Sequence, residues 1–396
     1  GTEVMAEAMG RYDALPAETQ ALLLPFLLPP YYQGSWDDQQ PAEGGPLAAA
    51  PLTLPAAAAL APGGPPEMPL SDKWFYRGNA KVKVWGRKDR PGDGRLVELV
   101  FNALKDKVWP DLTGLMLCEP IKDDGQGNFG GDGRLDVALT VIDDDGMTIP
   151  YVGFAIMGPV HLRINRRLND ELLRAALAHN FMHSLQFTYE LPGNRLYDKW
   201  LMESTAVWAE DFVYPEANTE QFYLAAFLDD PGVSLNDIKA AHHYGAYLFP
   251  FYLSHVSTPD VVRSMWVMAE STDTVLEAVD TVIEGGFKQQ WPEFARYNWN
   301  RPPQDDYSSW DLIARGVTAP AIPVPGPLDG FPAKDFVWTM PTDVRPLAAH
   351  YYHFVFPRDD VSSVTFYNPF KTSSDPDAKV QVLVKLGVRG RHRAAG

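Results

Sequence analysis

The chain has 396 residues, which is enough for two or three domains with a substantial core. Its formal net charge of −17 argues against nucleic acid or an anionic membrane surface as a partner, because both require basic surface. One cysteine excludes an internal disulfide framework, and the absence of an uninterrupted apolar run of about 18 residues predicts no membrane span.

Residues 1–75 predict an N-terminal segment and linker. A helix is expected over Tyr12–Leu28, followed by the Pro-, Ala- and Gly-rich tract Ala42–Pro69, which favours an extended or linking segment. The apolar stretch Ala21–Leu28 is short, contains proline and lacks a basic leader, so it does not have the pattern of a signal peptide. If the protein is exported, we expect its signal peptide to be absent from this chain.

Residues 76–167 predict a sheet with one helix, the upper lobe of a larger domain. The expected elements are strands at Ala80–Trp85, Leu135–Ile142 and Tyr151–Ile164 and a helix at Leu96–Val108.

A loop rich in Asp, Asn and Gly lies between these strands. Calcium prefers six to eight oxygen ligands, which Asp and Asn at alternate positions can supply around glycine turns. The candidate calcium ligands are Asp123, Asp124, Asn128, Asp132 and Asp136. The loop is not an EF-hand, because Arg134 and Leu135 stand where the bidentate glutamate belongs. Solvated Asp-Gly turns are the alternative interpretation.

The next segment predicts a helix that carries two histidines. Apolar residues recur at intervals of three and four from Leu168 to Leu177, with Asn169 or Asp170 available as the N-cap. His179 and His183 are four residues apart, so they share one helix face and can bind one metal ion.

A third ligand is expected from the following helix. Catalytic zinc typically has three protein ligands and one open position. Glu203 lies within a second helical pattern, Tyr197–Phe212, after a loop at Leu191–Asn194. Two neighbouring helices would therefore face each other across the metal.

The stretches Leu177–His183 and Trp200–Glu210 together resemble the gluzincin metallopeptidases, the thermolysin-like group. They are most similar to secreted bacterial proteases of the hyicolysin and immune-inhibitor type. The resemblance implies an α+β fold, a zinc ion held by His179, His183 and Glu203, and a secreted endopeptidase acting on protein or peptide substrates. By order along the chain, Tyr151–Met157 resembles the edge strand that pairs with an extended substrate in that group.

Asn180 departs from the family pattern. The resemblance implies a glutamate here, which takes a proton from the metal-activated water. An asparagine amide cannot act as this general base, so the chain is expected to be nearly inert. Two explanations remain open: a natural pseudoprotease that acts as a protein- or glycan-binding module, and an inactivating substitution, which the intact ligand set favours. A peptidase limited to glycosylated or otherwise unusual protein targets is a third possibility.

Residues 168–317 predict the lower, helical lobe, which with 76–167 completes a catalytic domain over 76–317. Helices are expected at Glu220–Leu228, His242–Val256, Pro259–Ala269, Thr274–Ile283 and Trp291–Trp299. Tyr244 and His243 are candidates for stabilising the oxyanion opposite the zinc, as a tyrosine or histidine does in gluzincins. Packing of an aromatic residue in the core is the alternative for each.

Residues 318–396 predict a small C-terminal β-sandwich. The expected strands are Asp335–Met340, His350–Phe356, Ser362–Tyr367 and Val380–Lys385.

Overall fold

The computed structural model describes residues 12–42, 69–124, 132–151, 157–192, 198–323 and 344–355. Five of its strands form one mixed sheet: β1 (Trp74–Gly78), β2 (Val82–Arg87), β3 (Leu135–Thr140), β4 (Gly146–Pro150) and β5 (Val160–Asn165). Their order is β1-β2-β3-β5-β4, with β2, β3 and β5 parallel and the two outer strands antiparallel to their neighbours. Within the described ranges, β4 therefore forms an edge of the sheet.

Helices account for most of the remaining described chain, and the α+β fold class is confirmed. They are α1 (Ala17–Leu27), α2 (Trp36–Gln39), α3 (Asp93–Ala103), α4 (Trp109–Met116), α5 (Asp170–Gln186), α6 (Lys199–Val213), α7 (Leu224–Leu228), α8 (His242–Gly245), α9 (Leu248–Val256), α10 (Asp260–Ala269), α11 (Val275–Val282), α12 (Gly286–Tyr297) and α13 (Asp306–Asp311). A π-helical turn, Leu104–Val108, joins α3 to α4. None of the helices in the described ranges is long and apolar enough to cross a bilayer.

The strands predicted at Ala80–Trp85 and Leu135–Ile142 correspond to β2 and β3, whereas β1 and β4 were not predicted. Among the described residues of the run predicted as one strand, Tyr151–Ile164, only those from Val160 onward are strand. The edge strand within the described ranges is β4, which comes earlier in the chain. Gly158 and Pro159 interrupt the run, and proline has no N–H to give to a ladder. Residues 152–156, which include most of the predicted edge strand, lie outside the described ranges.

Helix boundaries differ where proline or an unpredicted turn intervenes. The helix predicted at Trp291–Trp299 begins at Gly286, so Pro292 lies inside α12 instead of near its start. α13 was not predicted. Of the predicted C-terminal strands, His350–Phe356 contains β7 (His353–Val355), which pairs in parallel with β6 (Ala321–Pro323). The other three lie outside the described ranges.

Both faces of the sheet are covered. On β5, Val160, Leu162 and Ile164 point into the main core shared with the helices. His161 and Arg163 alternate with them and point to the opposite face, as strand geometry requires.

The opposite face is covered by the N-terminal segment. Leu24, Leu28 and Tyr31 pack with Trp85 of β2 in a second apolar cluster. The buried guanidinium of Arg163 donates to the main-chain carbonyl of Leu28 at 2.8 Å. The described part of the N-terminal segment is thus part of the sheet's packing.

His161 is buried in this second interface with no hydrogen-bond partner for either ring nitrogen. Burial, and then the charge of Arg163, lowers its pKa well below the ordinary 6.5. As the pH falls below 6.5, the unfolded chain therefore binds a proton that the folded chain does not.

We predict that His161 makes the protein less stable toward acid. Relative to His161→Phe, the free energy of unfolding of the natural chain should fall by up to about 1.4 kcal/mol per pH unit below the unfolded pKa. Urea unfolding of both proteins between neutral and mildly acidic pH measures this difference. Parallel pH profiles would contradict it.

Candidate metal centre

The helix α5 carries two of the predicted ligands. Its N-cap is Asn169, whose side-chain oxygen accepts a hydrogen bond from the backbone N–H of Glu171 at 3.1 Å. Glu171 also lies in the first turn, where its charge is favourable to the helix dipole. The helix continues through His179 and His183, which point from one face because they are four residues apart.

The helix α6 carries the third ligand and is fixed by burial on nearly all sides. Trp200 and Trp208 are both fully buried and anchor it in the main core. Glu203 lies between them and is only 3% exposed, although carboxylates are rarely buried without a partner. Its position facing α5 therefore calls for a positive charge nearby.

The structure brings the three predicted ligands together. His179 Nε2 lies 3.2 Å from Glu203 Oε2, and His183 Nε2 lies 3.4 Å from the same oxygen. The two Nε2 atoms are 3.1 Å apart. This group has a geometry that could hold a metal ion.

His183 Nδ1, the ring nitrogen that faces away from the other ligands, has a hydrogen-bond partner. His183 Nδ1 lies 2.7 Å from Gln186 Oε1. The amide nitrogen of Gln186 donates to the Met202 carbonyl and to Thr205 Oγ1, so its oxygen is the acceptor toward His183. His183 Nδ1 therefore carries the hydrogen, and neutral His183 presents a lone pair at Nε2.

His179 Nδ1, the ring nitrogen that faces away from the other ligands, also has a hydrogen-bond partner. His179 Nδ1 lies 2.9 Å from Glu210 Oε1, and Thr219 Oγ1 donates to the other oxygen of Glu210 at 2.9 Å. A carboxylate accepts, so Nδ1 of His179 is the donor and Nε2 of neutral His179 is again a lone pair. Carboxylate or amide partners of this kind orient metal-ligating histidines.

Two imidazole lone pairs and a carboxylate thus meet with no hydrogen between them. Such a group needs a cation, and the donor set fits a metal ion. In the metal-free chain a proton takes that role. Burial opposes the charged imidazole, but hydrogen bonds to Glu203 and Glu210 outweigh it and raise the pKa of His179 to about 10. Burial likewise opposes the Glu203 carboxylate, but His183 and His179 hold its pKa well below the usual range.

Asn180 is buried beside the ligands, facing β4. Its Nδ2 donates to the Ala176 carbonyl at 2.8 Å, and the Thr148 hydroxyl shares its hydrogen between the main-chain oxygen of Asn180 at 2.9 Å and its Oδ1 at 3.2 Å. Gly146 lies so close that an added Cβ would be 2.2 Å from Asn180 Nδ2. The strand β4 therefore contacts α5 directly beside the ligands, which glycine at residue 146 permits.

Aromatic residues line the other side. The ring centroid of Tyr244 lies 6.4 Å from that of His179, and Tyr223 stacks on Tyr244 at 5.1 Å. His243 is farther along, with its ring 4.4 Å from Tyr244. Of the two residues predicted to stabilise the oxyanion, Tyr244 is therefore the one whose ring lies near a metal ligand, His179.

Sequence reasoning missed four polar residues around the ligands: Gln186, Glu210, Tyr223 and Asp145. Two of them, Gln186 and Glu210, could have been found from their helical spacing to a ligand. Gln186 is one helical turn after His183, and Glu210 is two turns after Glu203, so each shares a face with its ligand. Tyr223 and Asp145 come from other segments, and their proximity shows in mutual charge effects with Glu210.

The predicted calcium residues are only partly described. Asn128 lies outside the described ranges, and Asp124 contacts Gly133. Asp123 Oδ1 accepts from the Gly133 backbone at 2.7 Å. Lys83 Nζ lies 2.8 Å from Asp132 and 3.6 Å from the fully buried Asp136. An ammonium group thus already neutralises part of this loop, and calcium binding there stays a prediction.

Comparison with known proteins adds one finding. A family of unknown function, DUF6055, matches residues 162–319, which include α5 and α6 and all three ligands. No curated protein matches the chain.

We predict that metal binding depends on all three ligands. The natural chain should retain about one metal ion after desalting, whereas His183→Ala and Glu203→Gln should retain almost none. His350→Ala is the matched control, because His350 is exposed on the surface. Metal content by plasma mass spectrometry, with circular dichroism as a check of folding, measures the effect. Retention of metal by both ligand variants would refute the site.

We also predict that Glu210 tunes the metal affinity without binding the metal. Glu210→Gln weakens the acceptor that orients His179, so the dissociation constant should rise about 10- to 100-fold. Glu216→Gln makes the same chemical change at an exposed position and should have no effect. Competition with a chromogenic chelator gives both constants.

Proposed function

We propose that the centre binds zinc and that the chain is an exported endopeptidase of the gluzincin type, with low turnover because Asn180 occupies the general-base position. The observation that carries this proposal is the convergence of His179, His183 and Glu203 with both histidines oriented through their second nitrogens.

The spacing of the ligands supports zinc. A tetrahedral ion with bonds of about 2.0–2.1 Å requires ligand atoms about 3.3–3.4 Å apart. The three ligand atoms are separated by 3.1, 3.2 and 3.4 Å. Two imidazoles and one carboxylate are also the ligand set of a known class of catalytic zinc sites.

A peptide substrate is supported by the position of β4. This strand is an edge of the sheet within the described ranges and contacts α5 at Asn180 through Gly146 and Thr148. An extended peptide added to its outer side would use backbone hydrogen bonds and would pass beside the ligands. Zinc bound there would polarise a peptide carbonyl and make water more acidic.

The low turnover follows from the hydrogen bonds of Asn180. Its nitrogen already donates to Ala176, and its oxygen accepts from Thr148. An amide also cannot take a proton from water. Loss of a positioned base typically lowers the rate about 100- to 10,000-fold.

We assign stabilisation of the oxyanion, the negative charge that develops on the carbonyl oxygen of the substrate, to the aromatic residues of the site. Tyr244 is the first candidate to donate to the carbonyl oxygen, with His243 second and Tyr223 stacked behind Tyr244. Burial, followed by the charges of Glu210 and Asp145, raises the pKa of Tyr223. Its hydroxyl therefore stays protonated and able to donate.

We predict that Asn180→Glu gains peptidase activity. A glutamate is one methylene longer and loses the donor that bonds to Ala176, so its carboxylate is released to act as the base. Cleavage of unfolded casein should rise about 100-fold or more over the chain that carries Asn180. Asn180→Gln is the matched control, because it has the length of glutamate without the carboxylate, and it should stay inactive. Zinc content is determined on all three proteins.

The outcomes separate the alternatives. If all three proteins bind zinc and only the glutamate form cleaves casein, the proposal stands. If all bind zinc and none cleaves, the endopeptidase assignment is wrong. If none binds zinc, the ligand assignment fails.

A zinc-dependent peptide-binding protein is the second candidate function. It is favoured by the fit of the Asn180 amide, which needs both a donor and an acceptor and finds partners for both. Binding of unfolded casein by the natural chain that is reversed by a chelator, with no cleavage by Asn180→Glu, would support this function over the first.

A further inference from the structure

A second group of ionisable residues lies away from the three ligands. Asp211 is near the end of α6, Glu220 begins the short 3₁₀ turn Glu220–Tyr223, and Asp311 ends α13. One carboxylate oxygen from each lies within 4.8 Å of the others. We call these three residues the acidic cluster.

Two buried side chains at this cluster, Glu220 and Tyr247, have no hydrogen-bond partner outside it among the described residues. Glu220 is fully buried, and no donor group outside the cluster, in the part of the chain that the structure describes, reaches either of its oxygens; its one side-chain interaction there is with the Asp311 carboxyl. The hydroxyl of Tyr247 is also buried with no hydrogen-bond partner. Burial, followed by the charges of Glu220, Asp211 and Asp311, raises the pKa of Tyr247, so its hydroxyl lies within electrostatic range of all three carboxylates. Unsatisfied buried polar groups are rare in native proteins and call for an explanation such as a bound ion.

The surroundings do not supply the missing positive charge. Within the described ranges, no lysine or arginine forms a salt bridge with a member of the cluster. Gln221 donates to Asp311 at 3.1 Å, and the charge of His255 also favours the Asp311 carboxylate. Burial and then repulsion from the neighbouring carboxylates raise the pKa of Asp211 to about 7 and of Glu220 to about 9. Ionising all three is therefore costly without a cation.

We propose that Asp211, Glu220 and Asp311 bind a calcium ion. Three carboxylates can offer up to about six oxygens, within the range that calcium takes. The ligands come from three separate segments, which suits the flexible coordination of calcium better than the strict octahedron of magnesium. The cluster contains no histidine or cysteine, so softer metals are not favoured.

The calcium site is connected to the metal centre through two neighbouring residues. Asp211 follows Glu210, which orients His179, and Glu220 follows Thr219, which donates to Glu210. A calcium ion that holds residues 211 and 220 together therefore also stabilises the hydrogen bond between Thr219 and Glu210. Only this coupling rests on the proposed zinc centre; the calcium site does not.

The experiment measures thermal unfolding of the full chain, prepared in metal-free buffer with one equivalent of zinc restored, during titration with calcium chloride or magnesium chloride. Calcium should raise Tm in a concentration-dependent way, and magnesium should raise it much less. Glu220→Gln should lose the calcium-dependent rise and, because repulsion is relieved, should be no less stable without calcium. Glu216→Gln, an exposed match for it, should keep the rise.

Two further variants locate the ion. His183→Ala should keep the calcium response, so failure of the zinc centre and failure of the calcium site are distinguishable. Asp132→Asn separates the calcium loop predicted next to Lys83 from the acidic cluster, because the part of the rise that depends on Glu220 should survive this substitution. Terbium luminescence excited through tryptophan and displaced by calcium gives a direct readout on the natural chain, should the Glu220 variant not fold. The proposal is overturned if the natural chain shows no calcium response or if Glu220→Gln responds to calcium as strongly as the natural chain does.

Discussion

The burial of three electron-pair donors between α5 and α6 is the constraint on which the rest of the centre depends. Each donor alone would be easily satisfied, but together they repel unless a cation lies among them. The protein does not relieve this repulsion by exposing the groups, because Glu203 and His183 are almost fully buried. It also fixes the hydrogen of each imidazole on the outer nitrogen through Glu210 and Gln186, which turns the lone pairs inward. Folding and cation binding are therefore coupled at this position.

The outer hydrogen bonds connect the centre to the rest of the lobe. Gln186 ties α5 to the main chain of α6 through Met202, so the two helices cannot slide without disturbing His183. Glu210 connects His179 to Thr219, at the start of the segment that leads into the acidic cluster. The short stretch Thr219–Glu220 thus contributes to both groups. The metal centre has two imidazole nitrogens and one carboxylate as ligands, whereas the acidic cluster has carboxylate oxygens alone.

The sequence predicted the part of the site that is local and periodic. His179, His183 and Glu203 could be found because helix spacing and ligand chemistry are both visible in the residues. Asp311 could not be connected with Asp211, because their contact depends on how distant helices pack and no periodicity encodes it. The edge strand predicted at Tyr151–Met157 falls mostly outside the described ranges, whereas β4, the edge within them, was not predicted. Gly158 and Pro159 break the longer run Tyr151–Ile164, which looks continuous in composition. Asn180 was visible, but its fit against Gly146 and Thr148 was not.

Because residues 12–42 cover one face of the sheet, the residues that pack together around the site extend beyond the stretch that the family comparison matches. The stretch that matches the family of unknown function begins at residue 162, inside β5. Both neighbours of β5 in the sheet, β3 and β4, precede that point, as does the segment that accepts the buried guanidinium of Arg163. The matched segment is therefore shorter than the packed unit around the site, because the sheet that contacts α5 includes strands and covering residues that lie outside the match.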